Sequence, residues 1–341
     1  MSESANAAIP RPRALALIVA SYVMAIGAGL ATLAWAPIED PIWRTFAADA
    51  VATVVIFGWS MTYDNSSFYD AYWSVIPPLI VIYWMLLPES VAVDARAWMI
   101  VGVLVVWGAR LTWNWTRGWT GMDHEDWRYA DFRVMFPRSY WLVSFGGVHF
   151  FPTVIVFVGL VAAWPALVTS DAPLSWIDGL AFAVGLGGIA FEWIADAQLH
   201  AFSKIRKPGE TLRTGLWRYS RHPNYLGELM IWWSLFLFGL AADPGWAKLA
   251  ILAPLAMTAM FLGFSIPALE KRSLERRANY QEVIDTTSML IPLPPRRPKT
   301  SKAWAAPGKS DRASRSPNSP SARRRPSKRK PKLAERPQAT D

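Results

Sequence analysis

The sequence predicts an all-α integral membrane protein, a bundle of about eight transmembrane helices. Three observations predict it. Of 341 residues, 52% are hydrophobic. The 20 Trp and 10 Tyr suit helices with aromatic belts at both interfaces better than they suit a soluble core. The polar residues able to carry chemistry collect between alternate apolar runs rather than inside them.

The apolar runs fall near 15–35, 48–61, 73–87, 97–113, 145–167, 176–195, 229–242 and 246–267. Several are shorter than the ~20 residues of a standard span. With both termini on the cytoplasmic side, the only Lys or Arg on the far side are Arg44, Arg96 and Lys248, against all the rest of the 35. That is a strong positive-inside bias, and it survives removal of the basic tail. Residues 1–12 are polar and lack a basic n-region with a small-residue cleavage site, so no cleaved signal is expected. The absence of Cys excludes disulfides, Cys-based metal sites and thiol catalysis.

Three parts are expected: helices and loops over 1–144, a second membrane domain over 145–296, and a basic tail over 297–341. The tail is rich in Lys, Arg, Ser and Pro, cannot bury enough apolar surface to fold alone, and is predicted to be disordered. Its run from Arg323 to Lys330 suits anionic lipid, at about 1 kcal/mol per basic residue near the surface, or serves only to settle topology. A nucleic-acid role is not supported, because no nucleic-acid module accompanies the charge. No internal repeat is visible, so an inverted-repeat transporter is not supported either.

The densest polar stretch runs from Gly215 to Glu228, immediately before the apolar run 229–242. Glu192, Asp196, Gln198 and Lys204 precede it, followed by Lys207, Arg213, Arg218 and Arg221. Arginine binds phosphate oxygens through a planar fork of donors, whereas His222 and Asn224 supply single directed hydrogen bonds. The combination suits a nucleotide-sized anion at the membrane face, although any one of these arginines is also explained by the positive-inside rule. Pro223 and Gly227 fit a chain that turns tightly into a span. His124, His149 and His200 lack partners at metal-site spacing, so no metal is expected.

The segment Arg218-Tyr-Ser-Arg-His-Pro-Asn-Tyr-Leu-Gly-Glu228, with Phe191-Glu-Trp-Ile-Ala-Asp196, Lys204, Glu270-Lys-Arg272, Arg276, Tyr280 and Ile291-Pro292, resembles the C-terminal domain of the membrane-bound steroid 5-alpha-reductase family. Within that superfamily it is most similar to the bacterial DUF1295-type proteins. The Arg-His-Pro-x-Tyr-x-Gly core is related to motifs of sterol C14 reductases and of isoprenylcysteine carboxyl methyltransferases, which use S-adenosylmethionine. The resemblance implies a cytoplasm-facing cofactor cavity in the bundle, holding NADPH near Asp196, Lys204, Arg218, Tyr219, Arg221, His222, Asn224, Tyr225, Glu228 and Tyr280.

Two further clusters bear on a substrate: Tyr63 to Ser74, and Arg110 to Trp119 continuing through Glu125 to Tyr129. Tyr69, Asp70, Tyr72, Glu125 and Tyr129 are the candidates to polarise a substrate carbonyl for hydride delivery. An aromatic interface belt with capping aspartates accounts for the same residues structurally. One departure stands out: steroid 5-alpha-reductases place a Tyr three residues before an Arg here, and this chain has Asn114 before Arg117. An amide donates a hydrogen bond but no proton.

The expected function is therefore NADPH-dependent reduction of an activated carbon–carbon double bond in a lipophilic, enone-like substrate, in a bacterial inner membrane. The alternatives are an S-adenosylmethionine-dependent membrane methyltransferase and a non-catalytic lipid-binding or scaffold protein.

Overall fold

A computed structural model describes residues 9–297, residue 93 excepted; the expected tail lies outside the described residues apart from its first position. The all-α architecture is borne out: among the described residues there is no strand, only an isolated bridge between Ser220 and Ser288. The helices are α1 (Arg11–Trp35), α2 (Pro41–Thr62), α3 (Tyr72–Met85), α4 (Asp94–Gly118), α5 (Trp127–Met135), α6 (Tyr140–Val161), α7 (Trp176–Ser203), α8 (Pro223–Ala242), α9 (Pro244–Arg276) and α10 (Tyr280–Thr286). Seven of them, all but α3, α5 and α10, are long and apolar enough to cross a membrane.

The interhelical contacts define two ends. Arg11 donates to the Trp119 and Thr116 carbonyls, so the start of α1 lies beside the end of α4. At the opposite end Arg96 grips Asp178, and Ser90 and Ser170 donate to the Leu167 and Ala242 carbonyls. The chain must therefore pass from the first end to the second along α3, whose 14 residues span only about 21 Å at 1.5 Å per residue. α3 is an eighth segment joining the two ends, shorter than a standard span and carrying Pro77 and Pro78 inside it. Arg44, Arg96 and Lys248 belong to the second end, and the other described basic groups sit at or toward the first, called here the basic end.

Local chemistry sets the boundaries. Asp40 caps α2 by accepting from the Trp43 N–H, with Pro41 at the first helical position. Ser175 and Asp178 form a capping box at α7. The Asp178 carboxylate also takes two bonds from the fully buried Arg96, at 2.7 and 3.0 Å, which ties the start of α7 to α4. α6 and α9 each contain a π-helical turn, over Ser144–Phe150 and Phe261–Ser265. Such turns shift the facing of every later side chain. In α6 the shift buries His149 completely.

The closest pairing is between α7 and α8. A Cβ on Gly227 would stand 2.7 Å from the Gly188 carbonyl oxygen and 2.7 Å from Glu192 Cβ. These glycines let two backbones touch, as small residues do between membrane helices. The touch sets Glu192 and Asp196 of α7 against Asn224 and Glu228 of α8.

Candidate functional site

At the basic end Arg110 of α4 projects between α7 and α8. It meets Glu192 at 2.5 Å and Asp196 at 2.9 Å, all three at most 13% exposed in their side chains. Asp196 also accepts from Asn114 at 3.2 Å and from Asn224 at 3.3 Å. Arg117 donates to Asn114, fixing the amide so that its N–H2 faces the carboxylate. One turn below, Glu228 accepts from the indoles of Trp107 and Trp232, each at 2.9 Å, and both of its oxygens are thereby used. Three carboxylates thus share one arginine, and Glu192 Oε2 and Arg110 Nε are buried without a hydrogen-bond partner.

The loop before α8 is held rigidly. Gly215 has φ +60°, and a Cβ there would stand 2.4 Å from Gln198 Oε1. Gln198 accepts from the Leu216 N–H and the Ala195 carbonyl from the Trp217 indole, so the loop wraps the end of α7. Arg221 donates to Glu270 at 2.6 Å and to the Ile284 and Thr287 carbonyls, and His222 shares Glu270 at 2.9 Å. Tyr225 stacks on His222 and packs against Phe261, with Arg128, Asp126 and Asp196 among the charges that surround it. Tyr280 is buried beside Arg277, and burial pushes its phenol up. Lys204, Arg218 and Tyr219 are exposed. The Lys204 and Arg218 side chains make no ion pair among the described residues, and Arg218 lies over the Tyr219 ring.

The substrate-side candidates separate into three groups. Asp70 accepts from Tyr129 at 2.6 Å and from the Trp115 indole at 3.2 Å, at the basic end. Burial pushes the Asp70 carboxyl up to about 6, partly offset by the Tyr129 bond, and burial beside Asp70 raises the Tyr129 phenol. Tyr72 points the other way, into the bundle, and donates to Asp49 of α2 at 3.4 Å. Tyr69 reaches Thr153 of α6 at 2.8 Å, and Thr153 meets Thr53 at 2.9 Å. Glu125 accepts from the Ser66 N–H at 2.6 Å and from Arg133, pinning the 62–72 turn to α5.

Asn114 and Trp115, consecutive on α4, face Asp196 and Asp70 respectively. α4 therefore joins the two expected clusters, one from the N-terminal half of the chain and one from the C-terminal half. Asp49 was not among the residues singled out from sequence. Its signal was available: it is the one ionisable residue between Arg44 and the end of α2, and a carboxylate inside a span is expensive without a purpose.

The fold and this end define a polytopic α-helical membrane protein with its buried polar chemistry concentrated between α4, α7 and α8. The chain belongs to the family described as "Protein of unknown function (DUF1295)", which matches residues 56–287. It is similar to an uncharacterized protein of Schizosaccharomyces pombe, 26% identical over 262 residues that make up 70% of this chain and 76% of that protein. No solved structure matches it significantly.

Proposed function

We propose that the protein is a membrane-bound, NADPH-dependent reductase of an activated carbon–carbon double bond in a lipophilic substrate. The observation that carries this reading is the joining, through Asn114 and Trp115, of an amide- and carboxylate-lined wall to the Tyr129–Asp70 phenol–carboxylate pair. The resemblance to steroid 5-alpha-reductases in the Arg218–Glu228 segment supports the same reading.

The residues fit the cofactor. Lys204 and Arg218 are cations at the surface without a carboxylate partner among the described residues, suited to phosphates. Asp196, Asn114 and Asn224 suit ribose hydroxyls or a carboxamide. NADPH, when bound, supplies the hydride. Tyr72 is assigned the proton side in this reading: its buried phenol donates to Asp49 at 3.4 Å, and Asp49 orients it. A hydrogen bond to the carbonyl oxygen draws charge from the double bond and stabilises the enolate formed when hydride reaches the β carbon; a proton from solvent then completes the α carbon. Asp70 holds the turn, since its oxygens are already taken by Tyr129 and Trp115. In this reading the basic end faces the cytoplasm, in line with the positive-inside rule, and both termini lie on that side.

A methyltransferase using S-adenosylmethionine is favoured by one observation, the surplus of carboxylate around Arg110, which suits a sulfonium cation. Thermal unfolding of detergent-purified protein separates the two. A ligand that binds only the folded state stabilises by about 2.7 kcal/mol at a hundred times its Kd. NADPH is expected to raise Tm and S-adenosylmethionine to leave it unchanged; the reverse result transfers the protein to the methyltransferases.

A further inference from the structure

The short helix α5 touches two different parts of the bundle with opposite faces. Trp127 and Asp131 stand four residues apart, as do Tyr129 and Arg133, and at 3.6 residues per turn the two pairs point roughly 200° apart. Tyr129 donates to Asp70 at 2.6 Å, and Arg133 donates to Asp64 at 2.8 Å and to Glu125 at 3.0 Å. The other face meets α9: the Arg272 guanidinium lies 4.3 Å from the Trp127 ring and 3.7 Å from the Asp131 carboxylate. Asp70 is tied to α4 through Trp115, and Arg272 follows Glu270, which holds His222 at the entry to α8. A helix about 10 Å across therefore bridges the opening between α4 on one side and α8 with α9 on the other. Asn114, Asp196, Asn224 and Tyr225 belong to that opening. Of the two remaining faces of α5, Ala130 and Val134 on one are exposed, and Arg128 on the other is among the charges around the Tyr225 phenol.

The two edges of α5 are held unequally. Arg133 also takes the Asp64 carbonyl and lies 3.9 Å over the Tyr140 ring, so its edge is fixed to the 62–72 turn and to α6. On the α9 edge the polar grip is one arginine among the described residues, and the Asp131 side chain it meets is 52% exposed. Ion pairs this long and this exposed contribute little, and so do cation–π contacts at exposed sites. The chain enters α5 past Gly118 and Gly121, and Gly121 sits at φ +147°, a conformation that other residues rarely adopt. Below the wall, Glu228 and the indoles of Trp107 and Trp232 close the way into the bundle, so a ligand from solvent reaches Asp196 from the end that α5 covers.

We infer that α5 is a lid on the Asp196–Asn224 wall, fixed along its Tyr129–Arg133 edge and latched to α9 by Arg272. Release of the latch opens the wall to the basic end. The inference concerns access and is independent of which ligand the wall takes.

The natural absence of Cys makes the test direct. Full-length Asn224→Cys protein in lipid nanodiscs is treated with a charged maleimide, and the rate of labelling is compared with and without Arg272→Gln. Gln281→Cys, at an exposed position, serves as the reference for a site the lid does not cover. Arg272→Gln is expected to speed labelling at Asn224→Cys at least tenfold and to leave the rate at Gln281→Cys unchanged. Asp131→Asn, which removes the other half of the ion pair at an exposed position, should act in the same direction. Equal rates at Asn224→Cys with and without Arg272 overturn the lid. Faster labelling at both positions overturns it too, because the fold as a whole has then loosened. No nucleotide enters the measurement, so the lid stands or falls separately from the reductase reading.

Discussion

Arg221 donates through Nε to Glu270 at 2.6 Å while its Nη1 holds the Ile284 and Thr287 carbonyls. The guanidinium is thus a clasp between the entry to α8 and the segment around α10. Breaking a buried ion pair by removing one partner costs about 3–5 kcal/mol. Arg221→Ala is therefore expected to lower Tm strongly in the absence of any ligand, and Arg218→Ala, at an exposed position, to leave it unchanged. Differential scanning fluorimetry of the two variants checks this; equal Tm values would return Arg221 to a purely ligand-binding role.

The Gly188–Gly227 contact sets the geometry of the Asp196 cluster. Gly227→Ala places a methyl 2.7 Å from backbone and 2.7 Å from Glu192 Cβ, with no flexible side-chain end to yield. Overpacking of this kind costs about 1–3 kcal/mol. The variant is expected to unfold at lower temperature and to bind NADPH more weakly. Gly58→Ala, where no atom lies within 4 Å, is the matched control and should be silent.

Asp70 gives the protein a pH signature. Its carboxyl is pushed up to about 6 by burial, from an ordinary value near 3.9. The folded state therefore holds this proton more tightly than the unfolded state, so the stability it contributes is complete below about pH 4 and lost as pH rises through 6. Tm of wild type minus Tm of Asp70→Asn should fall between pH 4 and pH 6 and level off above. A difference that does not change with pH contradicts the assignment.

Tyr72→Phe removes the phenol and keeps the ring between Tyr22 and Tyr69. Loss of a general acid or carbonyl-polarising donor lowers kcat by about 10²–10⁴. The expected result is a fall of that size with NADPH affinity unchanged, read from NADPH oxidation in the presence of a lipophilic enone. Tyr69→Phe, whose phenol is bonded to Thr153, should fall much less.

The helices were largely legible as apolar runs, because each must satisfy its own backbone in lipid and so announces itself by length and hydropathy. Some helices run on past the apolar residues, as α4 does to Gly118 and α7 to Ser203. The run 145–167 is a helix that begins at Tyr140 and ends at Val161, followed by a separate π-turn over Pro165–Thr169. The site was legible as a set of residue types but not as partnerships. Arg221 reads as a phosphate ligand because its charge is visible in the sequence, whereas Glu270 lies 49 residues away. Arg110 likewise meets Asp196 across 86 residues, a contact set by the glycine-mediated approach of α7 and α8 and not by any local pattern. Asp49 is the one ionisable residue of α2 beyond Arg44, and its pairing with Tyr72 depends on how α2 and α3 pack.

The most direct measurement is equilibrium binding of NADPH, NADH and S-adenosylmethionine to the detergent-purified protein, wild type and Asn224→Ala, whose amide donates to Asp196. Selective binding of NADPH, weakened at least tenfold in the variant at unchanged Tm, is the expected result. Selective binding of S-adenosylmethionine, or NADPH binding indifferent to Asn224, would contradict the proposed site.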